Sequence, residues 1–180
     1  MTEIRTQRLR LVALDFSHVK AMHSMSVDPE VRRYLFDGKV IDVAEVEQMV
    51  IRSQQTFVER GTGLFVMFVD LPDDKHHGQF VGFCGHRVFE DSQQMELLFG
   101  MEPRFWGRGF GQEAARRILE HGFESCNLIS VLAATDTPNQ RSVQVLQRLG
   151  MSFKERREFH GLDTVFYEIS AEEFLTLEAS

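Results

Sequence analysis

Residues 103–114 read Pro-Arg-Phe-Trp-Gly-Arg-Gly-Phe-Gly-Gln-Glu-Ala, with three glycines spaced two apart between a strand-like run and a helical pattern. Glycine lets the backbone take positive φ, so successive N–H groups can converge on one anion. The helix that follows adds its positive dipole end and its unpaired first N–H groups. A pyrophosphate suits such a cradle. No Lys-Ser/Thr pair follows the glycines, so this is not the loop of a nucleoside-triphosphatase. A dinucleotide fingerprint keeps some claim, because strand, glycines, helix and strand come in order and Asp136 lies about 25 residues on. Against it, the pattern is GxGxG rather than GxGxxG, and residues 102–106 intervene where a dinucleotide turn is tight. An acyl-coenzyme A is the third reading, and a glycine-rich loop with no ligand the fourth.

The elements that must position this loop follow from periodicity. Residues 8–14 alternate as a strand closed by Asp15, a helix cap. Helical patterns span about 16–26, 29–36 (opened by Asp28-Pro29-Glu30) and 42–60, the last stopped by Gly61 and Gly63. Apolar runs at 64–70 and 79–89 flank a polar turn, and 94–101 forms a third strand. Helix 110–123 presents Phe110, Ala114, Ile118, Leu119 and Phe123 on one side. A strand at 129–134, a helix at 139–149 and strands near 152–160 and 163–169 follow. Ser170-Ala171-Glu172-Glu173 is a capping box for a short last helix. Helices first, then a meander, then alternating strands and helices predict an α/β (α+β) fold on a largely antiparallel sheet. One domain over 1–180 fits this length.

The resemblance that these residues carry is to the GNAT superfamily of acetyltransferases, most closely its Rim-type subgroup of ribosomal-protein N-terminal acetyltransferases. It rests on the opening Thr6-Gln7-Arg8-Leu9-Arg10-Leu11, the strand Met95-Glu96-Leu97, the loop Pro103 to Ala114 with Trp106, and the run Asn139-Gln140-Arg141-Ser142 to Leu149-Gly150. Order and spacing match over nearly the whole chain. The resemblance implies a GNAT fold: a mixed sheet with a splayed central strand pair and helices on both faces. It also implies acetyl-CoA as cosubstrate. Backbone N–H groups of Arg108, Gly109, Phe110, Gly111 and Gln112 would hold the pyrophosphate, and the strand edge at Phe99 and Met101 would pair with the pantetheine arm. A free strand edge is a ready template for an amide chain. Asn139, whose local role is an N-cap, would also contact the pantetheine region. Residues 28–40, with Tyr34, Leu35 and Phe36, match the acceptor-facing region.

Acetyl transfer to an amine needs a neutral nucleophile and a route for the leaving thiolate's proton. Glu96, on the face of its strand opposite Met95, Leu97 and Phe99, is the base candidate; a solvated or ion-paired glutamate is the equal alternative. Deprotonating a lysine-like amine at neutral pH costs about 4–5 kcal/mol, and an α-amine about 1. The lighter task favours a peptide or protein N-terminus as acceptor over a polyamine, amino acid or antibiotic. Leu146 stands where many superfamily members place an acidic tyrosine, and Tyr34 and Tyr167 do not align with that role; Ser142, or a water held by Asn139, is the substitute. The missing tyrosine also keeps open a non-catalytic acyl-CoA-binding module.

The net charge of −7 without a basic stripe argues against a nucleic-acid partner. The apolar runs are too short to cross a bilayer and no signal peptide opens the chain, so neither membrane nor export is expected. Cys84 and Cys126 have no partner spacing, which with the absent signal reads as cytoplasmic. His76-His77 sit in a polar turn without a third ligand, so no metal site is expected.

Overall fold

The computed structural model describes residues 3–90 and 92–178. A short strand β1 (Glu3–Arg5), not anticipated from the pattern, pairs antiparallel with β2 (Leu9–Ala13). Asp15 caps a single 3₁₀ turn at Phe16–His18 that runs into α1 (Val19–Ser26). Asp28 opens α2 (Pro29–Leu35) by accepting the Glu30 N–H at 2.8 Å. Asp42 and Glu45 close a reciprocal capping box on α3 (Val43–Arg60), and Gly61 ends that helix in the left-handed region at φ 75°.

The strands β3 (Leu64–Val69), β4 (Phe80–Val88) and β5 (Met95–Met101) form the expected meander. After them come α4 (Phe110–Ser125), β6 (Ser130–Asp136), α5 (Gln140–Arg148), β7 (Ser152–Phe159), β8 (Leu162–Ser170) and α6 (Ala171–Glu178). Ser170 and Glu173 make the capping box of α6. Among the described residues the strands join one sheet in the order β1-β2-β3-β4-β5-β6-β8-β7.

Every neighbouring pair is antiparallel except β5 and β6. That parallel contact holds at only two register positions, Met95↔Val131 and Glu96↔Leu132. On their other sides β4 follows β5 to Met101 and β8 follows β6 to Asp136. Beyond residues 96 and 132 the two halves of the sheet therefore diverge and a wedge opens. This is the mixed α/β, largely antiparallel sheet with a splayed central pair that the resemblance implied. A single parallel contact also disposes of the dinucleotide reading, which needs a parallel doubly wound sheet.

Helices cover both faces. On one, α4 buries Phe110, Ala114, Ile118, Leu119 and Phe123 against Phe65, Met67 and Leu97. On the other, α1 and α3 bring Met22, Met25, Val46 and Val50 onto Val12, Leu64, Val66 and Phe83. Burial on both faces explains why residues 64–69 read as an unbroken apolar run rather than an alternation. Each large side chain so buried stabilises the fold by about 1.5–3 kcal/mol. No described helix is long and apolar enough to cross a membrane.

Candidate active site

After β5 the chain makes a 3₁₀ turn at Pro103–Phe105, with Phe105 wholly buried. Trp106 then folds back, its indole N–H donating to the Met101 carbonyl at 2.9 Å while the Arg141 guanidinium lies 4.8 Å above its ring. Gly107 and Gly109 take φ of 74° and 78°, a region where a side chain is strained. Gly109 is the N-cap of α4 and makes no side-chain capping bond. The Glu113 N–H is the first to reach back, to the Gly109 carbonyl at 3.0 Å. The N–H groups of Phe110, Gly111 and Gln112 consequently have no intrahelical acceptor. Free donors at the positive end of a 16-residue helix make an anion site.

Gly111 serves another purpose as well. Its backbone is ordinarily helical, and a Cβ there would lie 2.9 Å from the Met101 terminal methyl. Its smallness lets α4 settle on β5.

The loop is tied from below by residues far away in the chain. Arg8 Nε donates to Glu113 Oε2 at 2.6 Å, and Arg8 Nη1 to the Arg108 carbonyl at 2.9 Å. Thr6 Oγ1 and the Arg8 backbone N–H both donate to Glu113 Oε1, at 2.5 and 2.8 Å. The sequence pattern contained Thr6, Arg8 and Glu113 as motif letters, with nothing to say that they meet.

The edge of β5 runs from the loop to the wedge. Phe89 N–H bonds the Gln94 carbonyl at 2.8 Å and Glu102 N–H the Val81 carbonyl at 2.9 Å, both in the β4–β5 register. By the two-residue alternation of an antiparallel ladder, Glu96, Leu98 and Gly100 also bond β4, and the peptide groups of Leu97, Phe99 and Met101 face away from it. Phe99 and Met101 lie beyond the last β6 pair, so their peptides point into the wedge. The Met101 carbonyl is occupied by Trp106; its N–H and both groups of Phe99 are presented outward.

Glu96 sits where the strands part, only 1 % exposed. Its cross-strand neighbour Arg87, 43 % exposed, donates Nε to Glu96 Oε2 at 2.5 Å. Burial pushes the Glu96 carboxyl above the ordinary carboxylate range, and the Arg87 charge and hydrogen bond only partly oppose this. The ion-paired alternative therefore describes the resting contact, while both groups border the wedge. Asn139 caps α5, accepting the Ser142 N–H at 3.4 Å. Leu146 is 1 % exposed and belongs to the core, as does Tyr167. Tyr34, Leu35 and Phe36 of α2 and its C-terminal turn also line the cleft.

Together these groups enclose a cleft of about 1410 Å³ that runs from Gly107 and Gly109 past Phe99 to Glu96, Asn139 and Ser142. Asp136, at the end of β6, borders it too, its carboxyl raised by burial and by the facing Asp37. His76 lies in the polar turn with Nδ1 3.1 Å from the Gln79 side chain. Among the described residues no three His, Cys, Asp or Glu side chains gather as a metal set.

A splayed mixed sheet with an uncapped, glycine-led helix at its opening is a frame for holding an extended phosphate-bearing cosubstrate. The family model described as acetyltransferase (GNAT) domain matches residues 8–152, and the chain belongs to that family. It is an enzyme, an N-acetyltransferase of the kind that takes its acetyl group from acetyl-CoA. Among curated relatives, the FsC-acetyl coenzyme A-N(2)-transacetylase of Aspergillus fumigatus is 28 % identical over 97 % of this chain and 79 % of its own length. Among solved structures, the spermidine N-acetyltransferase of Vibrio cholerae in complex with CoA and spermine has a TM-score of 0.74 at 18 % identity, covering 93 % of this chain and 98 % of that one. The ribosomal L7/L12 alpha-N-protein acetyltransferase RimL in complex with coenzyme A has a TM-score of 0.76 at 16 % identity, covering 94 % and 98 %. These two likenesses are likenesses of fold.

Proposed function

We propose that this enzyme is a Rim-type acetyltransferase whose acceptor is an α-amino group, the N-terminus of a peptide or protein. The observation that carries this reading is the pairing at Glu96. A single buried carboxylate already bonded to Arg87, with apolar Leu146 facing the core, is light equipment for proton transfer. An α-amine needs about 1 kcal/mol of deprotonation at neutral pH against about 4–5 for a lysine-like amine.

Acetyl-CoA supplies the thioester carbonyl. N–H groups from Arg108 through Gln112 bind its pyrophosphate, and the outward peptides of Phe99 and Met101 pair with its pantetheine amides. Glu96 takes the acceptor's proton through water as the amine nitrogen bonds to the carbonyl carbon and the C–S bond breaks. Ser142, or a water held by Asn139, returns a proton to the leaving thiolate.

A second reading, a small amine as acceptor, is favoured by the names of curated relatives: one is a spermidine N(1)-acetyltransferase of Escherichia coli and another an FsC-acetyl coenzyme A-N(2)-transacetylase. The experiment compares kcat/KM for short peptides with free N-termini against spermidine and lysine peptides blocked at the α-amine, with acetyl-CoA fixed. The peptides should lead by about tenfold or more, the factor that 1.4 kcal/mol supplies. A lead of that size for spermidine or the blocked peptide overturns the α-amine reading and leaves the acetyltransferase intact.

A further inference from the structure

We propose that Arg8 is a positioning residue for the glycine loop, aiming the Gly109 N–H at the cosubstrate's pyrophosphate; this rests on the reading of that loop as the pyrophosphate site. In a trans peptide the C=O and the next N–H point in opposite directions. Arg8 Nη1 holds the Arg108 carbonyl at 2.9 Å from beneath the loop, so the Gly109 N–H of the same peptide is turned to the open side. The grip is firm because the guanidinium is used on several sides at once. Nε bonds Glu113 at 2.6 Å, the group stacks 4.9 Å from the Phe110 ring, and Nη2 lies 3.2 Å from where a Gly109 Cβ would stand.

The second contribution is electrostatic. Glu113 lies in the first turn of α4, where its charge suits the helix dipole but opposes an incoming anion. Arg8 neutralises that carboxylate, and Thr6 and the Arg8 backbone hold it by its other oxygen. A lysine could provide the charge but not the fork that bonds Glu113 and the Arg108 carbonyl together.

The test uses the full-length enzyme with two donors, acetyl-CoA and acetyl-pantetheine, which lacks the pyrophosphate. In Arg8→Lys the KM for acetyl-CoA should rise about tenfold, the loss of one charge-assisted hydrogen bond. The kcat and the KM for acetyl-pantetheine should stay within about twofold. Should the lysine variant not fold, Arg8→Gln is read in the same way. Equal losses with both donors, or no loss with either, overturn the proposal. Gly109→Ala, measured alongside, separates the two levels. If it discriminates between the donors and Arg8→Lys does not, the pyrophosphate loop stands and the role of Arg8 falls. If Gly109→Ala weakens both donors alike, the loop reading itself fails.

Discussion

Replacing Glu96 by Gln separates catalysis from electrostatics, because the amide keeps the shape and can still accept from Arg87. The carboxylate is 1 % exposed while Arg87 is 43 % exposed, so the variant leaves a cation that water can solvate rather than an orphaned buried charge. Burial raises the native Glu96 pKa above its usual value. The native state therefore holds the proton more tightly than the unfolded one. Stability from this group is present below the ordinary carboxylate range, near 4.3, and is lost as pH rises through the native value. Each unit of elevation removes ~1.4 kcal/mol at neutral pH. Glu96→Gln should thus melt at or above the wild-type temperature at neutral pH, and the difference should close as pH falls toward the carboxylate range. In a thiol-release assay its kcat should drop roughly 10²–10⁴-fold, about 3–5 kcal/mol of barrier, with the acetyl-CoA KM nearly unchanged. The acidic limb of the wild-type pH–rate profile should vanish with the carboxylate. A Gln variant with wild-type kcat and an intact acidic limb would refute the role as base, and a large fall in melting temperature at neutral pH would refute the electrostatic reasoning.

Trp106→Phe removes the indole N–H from the Met101 carbonyl. It should lower stability by about 0.5–1.5 kcal/mol in urea titrations and raise the KM for acetyl-CoA a few-fold by loosening the strand edge. His86 is fully buried beside Thr62, its Nε2 has no hydrogen-bond partner, and burial lowers its pKa to about 3. The native state keeps it neutral, so the contribution of this group to stability should fall by ~1.4 kcal/mol per unit as pH drops below about 6.5. His86→Asn should flatten that slope in chemical denaturation at a series of pH values.

What the chain discloses on its own is what lies within one helical or strand period. Asp15, Asp28 and Asp42 announced helix starts because a cap is a contact over two or three residues. The apolar side of α4 was readable for the same reason. The three residues of β1 are too few for a period. Other features depend on pairing between distant segments. Arg87 meets Glu96 only once the β4–β5 register is known, and Arg8 reaches Glu113 across 105 positions. The splay of β5 from β6 came from family resemblance and not from any pattern of residues. Gly111 shows the reverse limit: read as a phosphate glycine, it is accounted for equally by the Met101 methyl 2.9 Å from its missing Cβ.

On the proposed function, the splay also lets one short strand serve both partners of the reaction. Where β5 still touches β6, its last paired residue is Glu96, and closure of the sheet there buries the carboxylate and raises its pKa. One step further the strands part, and the peptides of Phe99 and Met101 are left without a strand partner on that side. From Glu96 to Met101 the strand advances about 17 Å, and the loop at its end presents the first N–H groups of α4. On the reading proposed above, an arm paired with that edge and anchored by its phosphates at the loop has its reacting carbon delivered to the parting point, beside Glu96. A sheet paired to its full length would bury the carboxylate equally well and leave no free strand edge beside it. A sheet split completely would expose the carboxylate to water and return it to ordinary acidity. The two register pairs at 95/131 and 96/132 hold the protein between those extremes.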